Sequence, residues 1–179
     1  IHFHPLRVKK IQKETADCVS VEFDIPESLT ESFQFKQGQS LTMRTIINGE
    51  EVRRTYSICS SPSDKKLQVA IKKAAGGIFS TFANEQLKQN DILEVMQPIG
   101  KFYVELNPAN KKNYLGIAAG SGITPLISII KTTLQTEPRS SFTLLYGNKT
   151  RSSIIFFEEL EGLKNKYLQR FNFINVLSR

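Results

Sequence analysis

A chain of 179 residues, 40% hydrophobic and 23% charged, holds one large domain or two small ones around a real core; no run approaches the ~18 apolar residues of a membrane span, so no membrane partner is expected. Two distant cysteines, Cys18 and Cys59, and two histidines, His2 and His4, exclude a Cys-based structural zinc site or a four-thiolate iron–sulfur cluster within this chain. They also make a disulfide framework unexpected, which suits a reducing, cytoplasmic compartment.

In chain order, the opening "HFH" reads as a mobile end rather than a metal site. "LRVKKIQKE", "CVSVEFDIP", "SLTMRTII", "EVRRTYSICS" and "KLQVAIKKA" then alternate or are rich in β-branched residues. Turn signals separate them at Pro26, Gln37–Gly38, Asn48–Glu50 and Ser61–Asp64. The spacing predicts a small antiparallel barrel, six-stranded, over residues 1–107. One helix interrupts it: "GGIFSTFANEQLKQ" sets Phe79, Phe82, Ala83 and Leu87 at helical spacing behind two glycines.

The texture changes at "LNPANKKN", residues 106–113, a linker and domain boundary. Strands at 114–120, 141–148 and 171–177 alternate with helices at about 124–135 and 153–168. In the second helix Phe156, Leu160, Leu163 and Tyr167 form the apolar stripe. This pattern predicts a parallel sheet covered on both faces, an α/β unit over 111–179. Three strands make an incomplete doubly wound sheet, so the unit is expected to continue past Arg179. The net charge of +7 resides here: residues 111–179 hold 10 basic against 4 acidic side chains, whereas residues 1–110 are nearly balanced. A basic excess of this kind points to an anionic partner.

Two glycine-to-helix turns could receive an anion. In "YLGIAAGSGITPLISII" a buried strand runs into Gly120-Ser121-Gly122, with Thr124 expected as N-cap and Pro125 as first helical residue. The glycines admit close backbone approach, and the helix start offers free N–H groups. In "AAGGIFST", Gly76, Gly77, Ser80 and Thr81 repeat the arrangement. After the second α/β strand, "YGNKTRSS" carries Lys149 and Arg151 where a dinucleotide fold that binds NAD has a carboxylate. Basic residues there suit a 2′-phosphate, and Arg179 repeats the theme at the next strand end. The strand "RRTYSICSSP" adds an aromatic plane at Tyr56, a guanidinium fork at Arg54 and a short hydroxyl at Ser57. Together these parts suit a flat, polar-edged ring with a pyrophosphate tail.

"RTYS" (Arg54–Ser57), "GGIFST" and "AAGSGITP" resemble, in order and spacing, the flavin, FAD-pyrophosphate and nicotinamide-dinucleotide motifs of the ferredoxin–NADP reductase superfamily, nearest to reductases of multicomponent oxygenases. "FKQGQSL" is similar to the turn before a barrel strand there, with Lys36-Gln37 in place of a proline. The resemblance implies an FAD-dependent NAD(P)H oxidoreductase. It implies that Tyr56 lies against the flavin and Ser57 acts at its reactive edge, the two catalytic positions. Arg54 and Thr55 on the same strand, with Gly76, Gly77, Ile78, Phe79, Ser80 and Thr81, would hold FAD; Ala70, Ile71 and Lys72 would line it. Gly120, Gly122, Thr124 and Pro125 would receive NAD(P)H, with Lys149, Arg151, Ser178 and Arg179 favouring NADPH over NADH. The implied partners are NAD(P)H, an iron–sulfur or ferredoxin electron acceptor and an oxygenase component. A 2Fe–2S centre would belong to a C-terminal domain absent from this chain. The rival readings are a flavin-binding barrel without NAD(P)H turnover, a general ferredoxin or flavodoxin reductase, and a nucleic-acid-binding barrel. The position of the basic excess, outside the barrel, disfavours the last, so no nucleic acid is expected.

Overall fold

The strand patterns resolve into two sheets in the computed structural model, which describes residues 2 to 178. The first contains β1 (Phe3–Thr15), β2 (Cys18–Asp24), β3 (Ser40–Ile47), β4 (Glu50–Ser57), β5 (Leu67–Lys72) and β6 (Ile92–Met96). All are antiparallel, in the order β4-β3-β6-β1-β2-β5. The ends meet: Ile58 bridges Val69, and the Cys59 N–H donates to the Gln68 carbonyl at 2.9 Å, closing a barrel. The sixth strand lies in "DILEVM", outside the five alternating runs. The strand β1 serves two partners by bending, with register irregularities at Val8/Lys10 and Lys13/Thr15. The two-residue turn Asn48-Gly49, with φ of 53° and 84°, matches the twist of the β3–β4 hairpin and sets Ile47 opposite Glu50.

Two of the three "HFH" residues, Phe3 and His4, are strand rather than a loose end. His4 pairs with Val95 in β6, and its ring meets Phe33 edge-on at 5.6 Å. The barrel interior is filled by Leu6, Val8, Val21, Leu41, Met43, Ile58, Val69, Ile71 and Val95, all without exposed surface. The helix α1 (Ile78–Glu85) drives Phe79 and Ala83 into this core.

The second sheet holds β7 (Asn113–Ala119), β8 (Ser141–Asn148) and β9 (Phe171–Leu177), parallel and in that order, with α2 (Ile123–Thr136) and α3 (Phe157–Lys166) between them. The expected cover on both faces is not found. The strand order advances in one direction, so two right-handed crossovers lay both helices on the same face. That face carries Ala118, Leu144, Tyr146, Phe171 and Phe173, all buried. Among the described residues the opposite face is open, with Leu115, Ile117, Ile174 and Val176 exposed. The helix expected over 153–168 begins only at Phe157. Arg151–Ser153 form a 3₁₀ turn, Ile154 is extended and Ile155 enters a turn, both buried, and Phe156 takes a left-handed φ of 62°. Phe156 and Leu160 are nevertheless buried together, so the apolar spacing reported burial but not the helix start.

The two halves are joined by a polar seam along α2. Ser128 Oγ donates to the Ser60 carbonyl at 2.6 Å and Thr132 Oγ1 to Ser61 Oγ at 3.2 Å, while Gln135 Oε1 accepts from Ser61 and Ser63. Lys131 Nζ bridges Asp64 of the barrel and Glu159 of α3, the latter at 2.7 Å. Positions 128, 131, 132 and 135 lie on one helical face. Cys18, Cys59 and Ala70 pack beside the seam against the apolar residues of α2. The linker is fastened as well. The buried Glu137 carboxylate accepts from the Asn107 N–H (3.0 Å), Asn110 Nδ2 (2.6 Å), Tyr114 Oη (3.0 Å) and Ser140 Oγ (2.7 Å).

Candidate functional site

Along β4 the alternation separates the side chains by task. Val52 and Ile58 enter the barrel core, and Tyr56, half-buried between them, tilts against Phe79 of α1 at 5.7 Å. Burial pushes its phenol pKa upward, so the ring is a neutral apolar plane with a polar tip. Arg54 has the same parity but is exposed. Its Nη1 donates to the Arg53 carbonyl at 2.7 Å, and it forms no ion pair among the described residues. The two neighbouring arginines differ: Arg53 and Arg44 both reach Glu51, and both lie over the Phe3 ring. A guanidinium with no carboxylate partner is free to meet an anion. On the other parity, Thr55 shares a 2.8 Å hydrogen bond with Thr42. The Ser57 hydroxyl has no protein partner among the described residues and stays half-exposed. Beyond Ser57 the chain leaves the site, and Cys59, Ser60 and Ser61 belong to the interdomain seam.

The strand β5 links both glycine turns. The side chains of Ala70 and Ile71 are buried, so of the three residues expected to line the flavin only Lys72 presents its side chain to solvent. Its Nζ stands 3.9 Å from the place a Cβ on Gly120 would occupy, bringing the barrel to the second glycine turn. On its other side the chain enters Ala74–Gly77. Gly76 takes φ +69° with open space around it, a conformation that side chains avoid. Gly77 caps α1 and accepts from the Thr81 N–H at 3.0 Å, which leaves the amides of Ile78, Phe79 and Ser80 as the free N–H groups of the first turn. The Ser80 hydroxyl is not among the free donors. It accepts from the Ala74 N–H at 3.1 Å and donates to the Gly77 carbonyl at 3.3 Å, bracing the loop. Asn84 Nδ2 ties this helix to the Ile71 carbonyl at 3.0 Å. A turn with three free amides, near an unpaired guanidinium, fits a pyrophosphate.

The second glycine turn differs from its expected form. Gly120–Gly122 make a 3₁₀ turn, and α2 starts at Ile123 with Gly122 as N-cap. Thr124 is therefore inside the helix and not its cap: Oγ1 donates back to the Ser121 carbonyl at 3.0 Å. Pro125 is the third helical residue, still in the first turn where its missing N–H costs nothing. Gly120 has φ +50°, and around Gly122 a Cβ would meet nothing within 4 Å. The backbone here is open to a ligand, as a dinucleotide phosphate requires. Lys149 and Arg151 follow β8, exposed and without ion pairs among the described residues, with Arg151 lying over the Phe157 ring at 4.8 Å. The Ser178 N–H donates to the Asn148 carbonyl at 3.0 Å, bringing the end of β9 to the same edge of the sheet. Arg179 lies outside the described residues.

A cleft of about 290 Å³ borders the first glycine turn, lined by Ile47, Asn48, Gly76, Gly77, Ile78 and Thr81 among others. A larger cavity, about 660 Å³, opens elsewhere on the barrel between Phe23, Phe33, Phe35 and Lys66 and includes none of the sequence candidates. Free donors and open backbone, rather than cavity size, mark the site. Sequence reasoning did not find Asn84, Lys131 or Tyr146. Each is a polar side chain at an inward position of its element, and that is the one local signal they give.

Residues 5–103 match the family described as oxidoreductase FAD-binding domain, and residues 117–179 match oxidoreductase NAD-binding domain. The chain is 47% identical over 177 residues to a component of the 1,2-phenylacetyl-CoA epoxidase of Escherichia coli (strain K12), covering 99% of this chain and 50% of that protein. It is 36% identical over 174 residues to the ferredoxin reductase component of 3-ketosteroid-9-alpha-monooxygenase from Rhodococcus rhodochrous, covering 96% and 48%. The chain thus spans about half the length of these relatives. Among solved structures, ferredoxin-NADP+ reductase from Plasmodium falciparum with 2′P-AMP superposes with a TM-score of 0.84 at 25% identity, over 98% of this chain and 74% of that one.

Proposed function

Because the chain belongs to the ferredoxin–NADP reductase family of FAD- and NAD-binding oxidoreductases, we propose that it carries electrons from NAD(P)H through FAD to an iron–sulfur acceptor, as the reductase of a multicomponent oxygenase. The observation that carries this reading is the pair of open glycine turns flanking the end of β5, with Arg54 and Ser57 uncommitted on β4. FAD held at the barrel would supply the redox chemistry. The protein's part is positional. Arg54 and the amides of Ile78, Phe79 and Ser80 neutralise and orient a pyrophosphate. Tyr56 offers a plane and Ser57 a hydroxyl at its edge. The turn at Gly120–Gly122 holds the second nucleotide against the same strand end through Lys72. The polar seam holds the two glycine turns in a fixed relation to each other.

Lys149 and Arg151 support NADPH over NADH, because among the described residues their charges have no carboxylate partner. The relative from Escherichia coli suggests an epoxidase as the oxygenase component. Residues 1–107 form the FAD unit in this reading and 111–179 the first part of the NAD(P) unit. No helix among the described residues is long and apolar enough to cross a membrane. The test is an absorption spectrum of the FAD-reconstituted protein, followed by anaerobic mixing with NADPH and with NADH. Flavin absorbance should appear and then bleach, faster with NADPH. A chain that stays colourless after reconstitution sinks the proposal.

A further inference from the structure

Tyr146 is the bulkiest of the fully buried side chains. It stands on β8 beneath α2, with its ring 6.5 Å from Phe173, and its Oη donates to the Gly120 carbonyl at 2.8 Å. A buried hydroxyl needs a partner, yet this one chooses a carbonyl of the dinucleotide turn on the neighbouring strand. The consequence follows from peptide geometry. In a trans peptide the carbonyl and the following N–H point in opposite directions, and the described residues contain no cis bond. Fastening the Gly120 oxygen inward therefore turns the Ser121 N–H outward. The Ile123 N–H reaches both the Gly120 and the Ser121 oxygens, so the phenol is a second donor to Gly120, and the Ser121 oxygen also accepts from Thr124 Oγ1 at 3.0 Å. Ser121 and Gly122 are exposed, and their amides find no partner outside their own turn. Burial raises the phenol's pKa, so the hydroxyl stays protonated and serves Gly120 as a donor.

We infer that Tyr146 is a positioning residue for the dinucleotide turn: its phenol locks the Gly120–Ser121 peptide so that a nucleotide phosphate meets N–H and not C=O. At Gly120 this lock has work to do, since a glycine at φ +50° has no Cβ to oppose a peptide flip. A flipped peptide would present a carbonyl to the phosphate at the positive end of α2, reversing a favourable dipole. The inference rests on the reading of this turn as the nucleotide site.

Tyr146→Phe keeps the ring and deletes only the hydroxyl. In the FAD-reconstituted full chain, calorimetric titration with NADP+ should show affinity falling about tenfold, the weight of one or two hydrogen bonds, with FAD content unchanged. In the nucleotide-free protein the Ser121 amide resonance should shift and broaden in ¹⁵N spectra. Phe171→Leu serves as the control, because it thins the same core without touching the phenol–carbonyl bond. It should lower the melting temperature and leave NADP+ affinity as in the parent. The inference is overturned if Tyr146→Phe binds NADP+ within twofold of the parent with an unmoved Ser121 resonance, or if Phe171→Leu loses as much affinity. If the parent binds no NADP+, the nucleotide assignment fails by itself. The Ser121 resonance then decides the lock alone: displaced in Tyr146→Phe, the lock stands, and unmoved, it falls.

Discussion

Lys131→Met should loosen the barrel from the α/β half. The Lys131 side chain is 9% exposed, Asp64 18% and Glu159 39%. Burial pulls the ammonium pKa down, but Glu159 and Asp64 outweigh it and the net displacement is upward. Removing one member of a fully buried pair costs about 3–5 kcal/mol, and a well-exposed partner contributes under about 1 kcal/mol. With Asp64 mostly buried and Glu159 more than a third exposed, the latch falls between these limits, at about 2 kcal/mol, or roughly thirtyfold in an opening equilibrium. Cys18 and Cys59 supply the reporter. They are 0% and 3% exposed in the interdomain core, and burial pushes the Cys18 thiol up to about 12 and the Cys59 thiol also upward. Both are protonated and shielded until the halves part. Thiol labelling should therefore accelerate about thirtyfold in Lys131→Met. In Lys36→Met, which breaks the exposed Lys36–Glu105 pair, it should stay at the parent rate. Labelling of Lys131→Met within threefold of the parent would refute the latch. So would an acceleration fully explained by a lower global unfolding midpoint in urea.

The remaining expectations concern the site and the linker. Arg54→Ala should weaken FAD binding by about 10- to 100-fold, the range of charge-assisted hydrogen bonds; a variant that purifies with full FAD content contradicts the role. Ser57→Ala should retain FAD but slow its reduction by NAD(P)H by about tenfold or more, and stopped-flow rates equal to the parent's would remove Ser57 from the reaction. Burial alone would raise the Glu137 pKa, but its donors from Ser140, Asn107, Asn110 and Tyr114 win, and the folded carboxyl titrates below its usual value of 4.5. A depressed pKa means that its stabilisation is complete above the unfolded value and fades as pH falls through the folded one. Melting temperatures should drop below about pH 4.5 more steeply in the parent than in Glu137→Gln; parallel curves would show that this carboxylate does not anchor the linker.

The sequence made legible what is local. Alternation marked five barrel strands, Asn48-Gly49 marked a turn, and the glycines marked two strand-to-helix turns, because each depends on residues within a few positions of one another. Errors arose where a competing local geometry overrode a helix rule. Thr124 reads as an N-cap, yet a 3₁₀ turn at Gly120–Gly122 takes up the helix start and redirects its hydroxyl to Ser121. Ile154 and Ile155 continue a helical apolar period, but they are buried in an extended residue and a turn before the left-handed Phe156. The seam from Cys59 to Asp64 was opaque for a different reason. The partners of Ser60, Ser61, Ser63 and Asp64 on α2 lie 67 to 74 residues away.

Such distant bonds do leave a trace. Ser128 and Lys131 interrupt the apolar run of "ISIIKTT", and Tyr146 interrupts "FTLLYG". A hydroxyl or ammonium at a buried position is costly unless it is paired. Each such interruption therefore announces that a partner exists without saying where. In this chain the announced partners are the Ser60 carbonyl, the Asp64 carboxylate and the Gly120 carbonyl. The first two fix one half of the molecule against the other, and the third fastens the Gly120–Gly122 turn proposed to meet the nucleotide. Polar interruptions of buried elements were thus the second most informative signal in this sequence after the glycine turns, and they point to the same place.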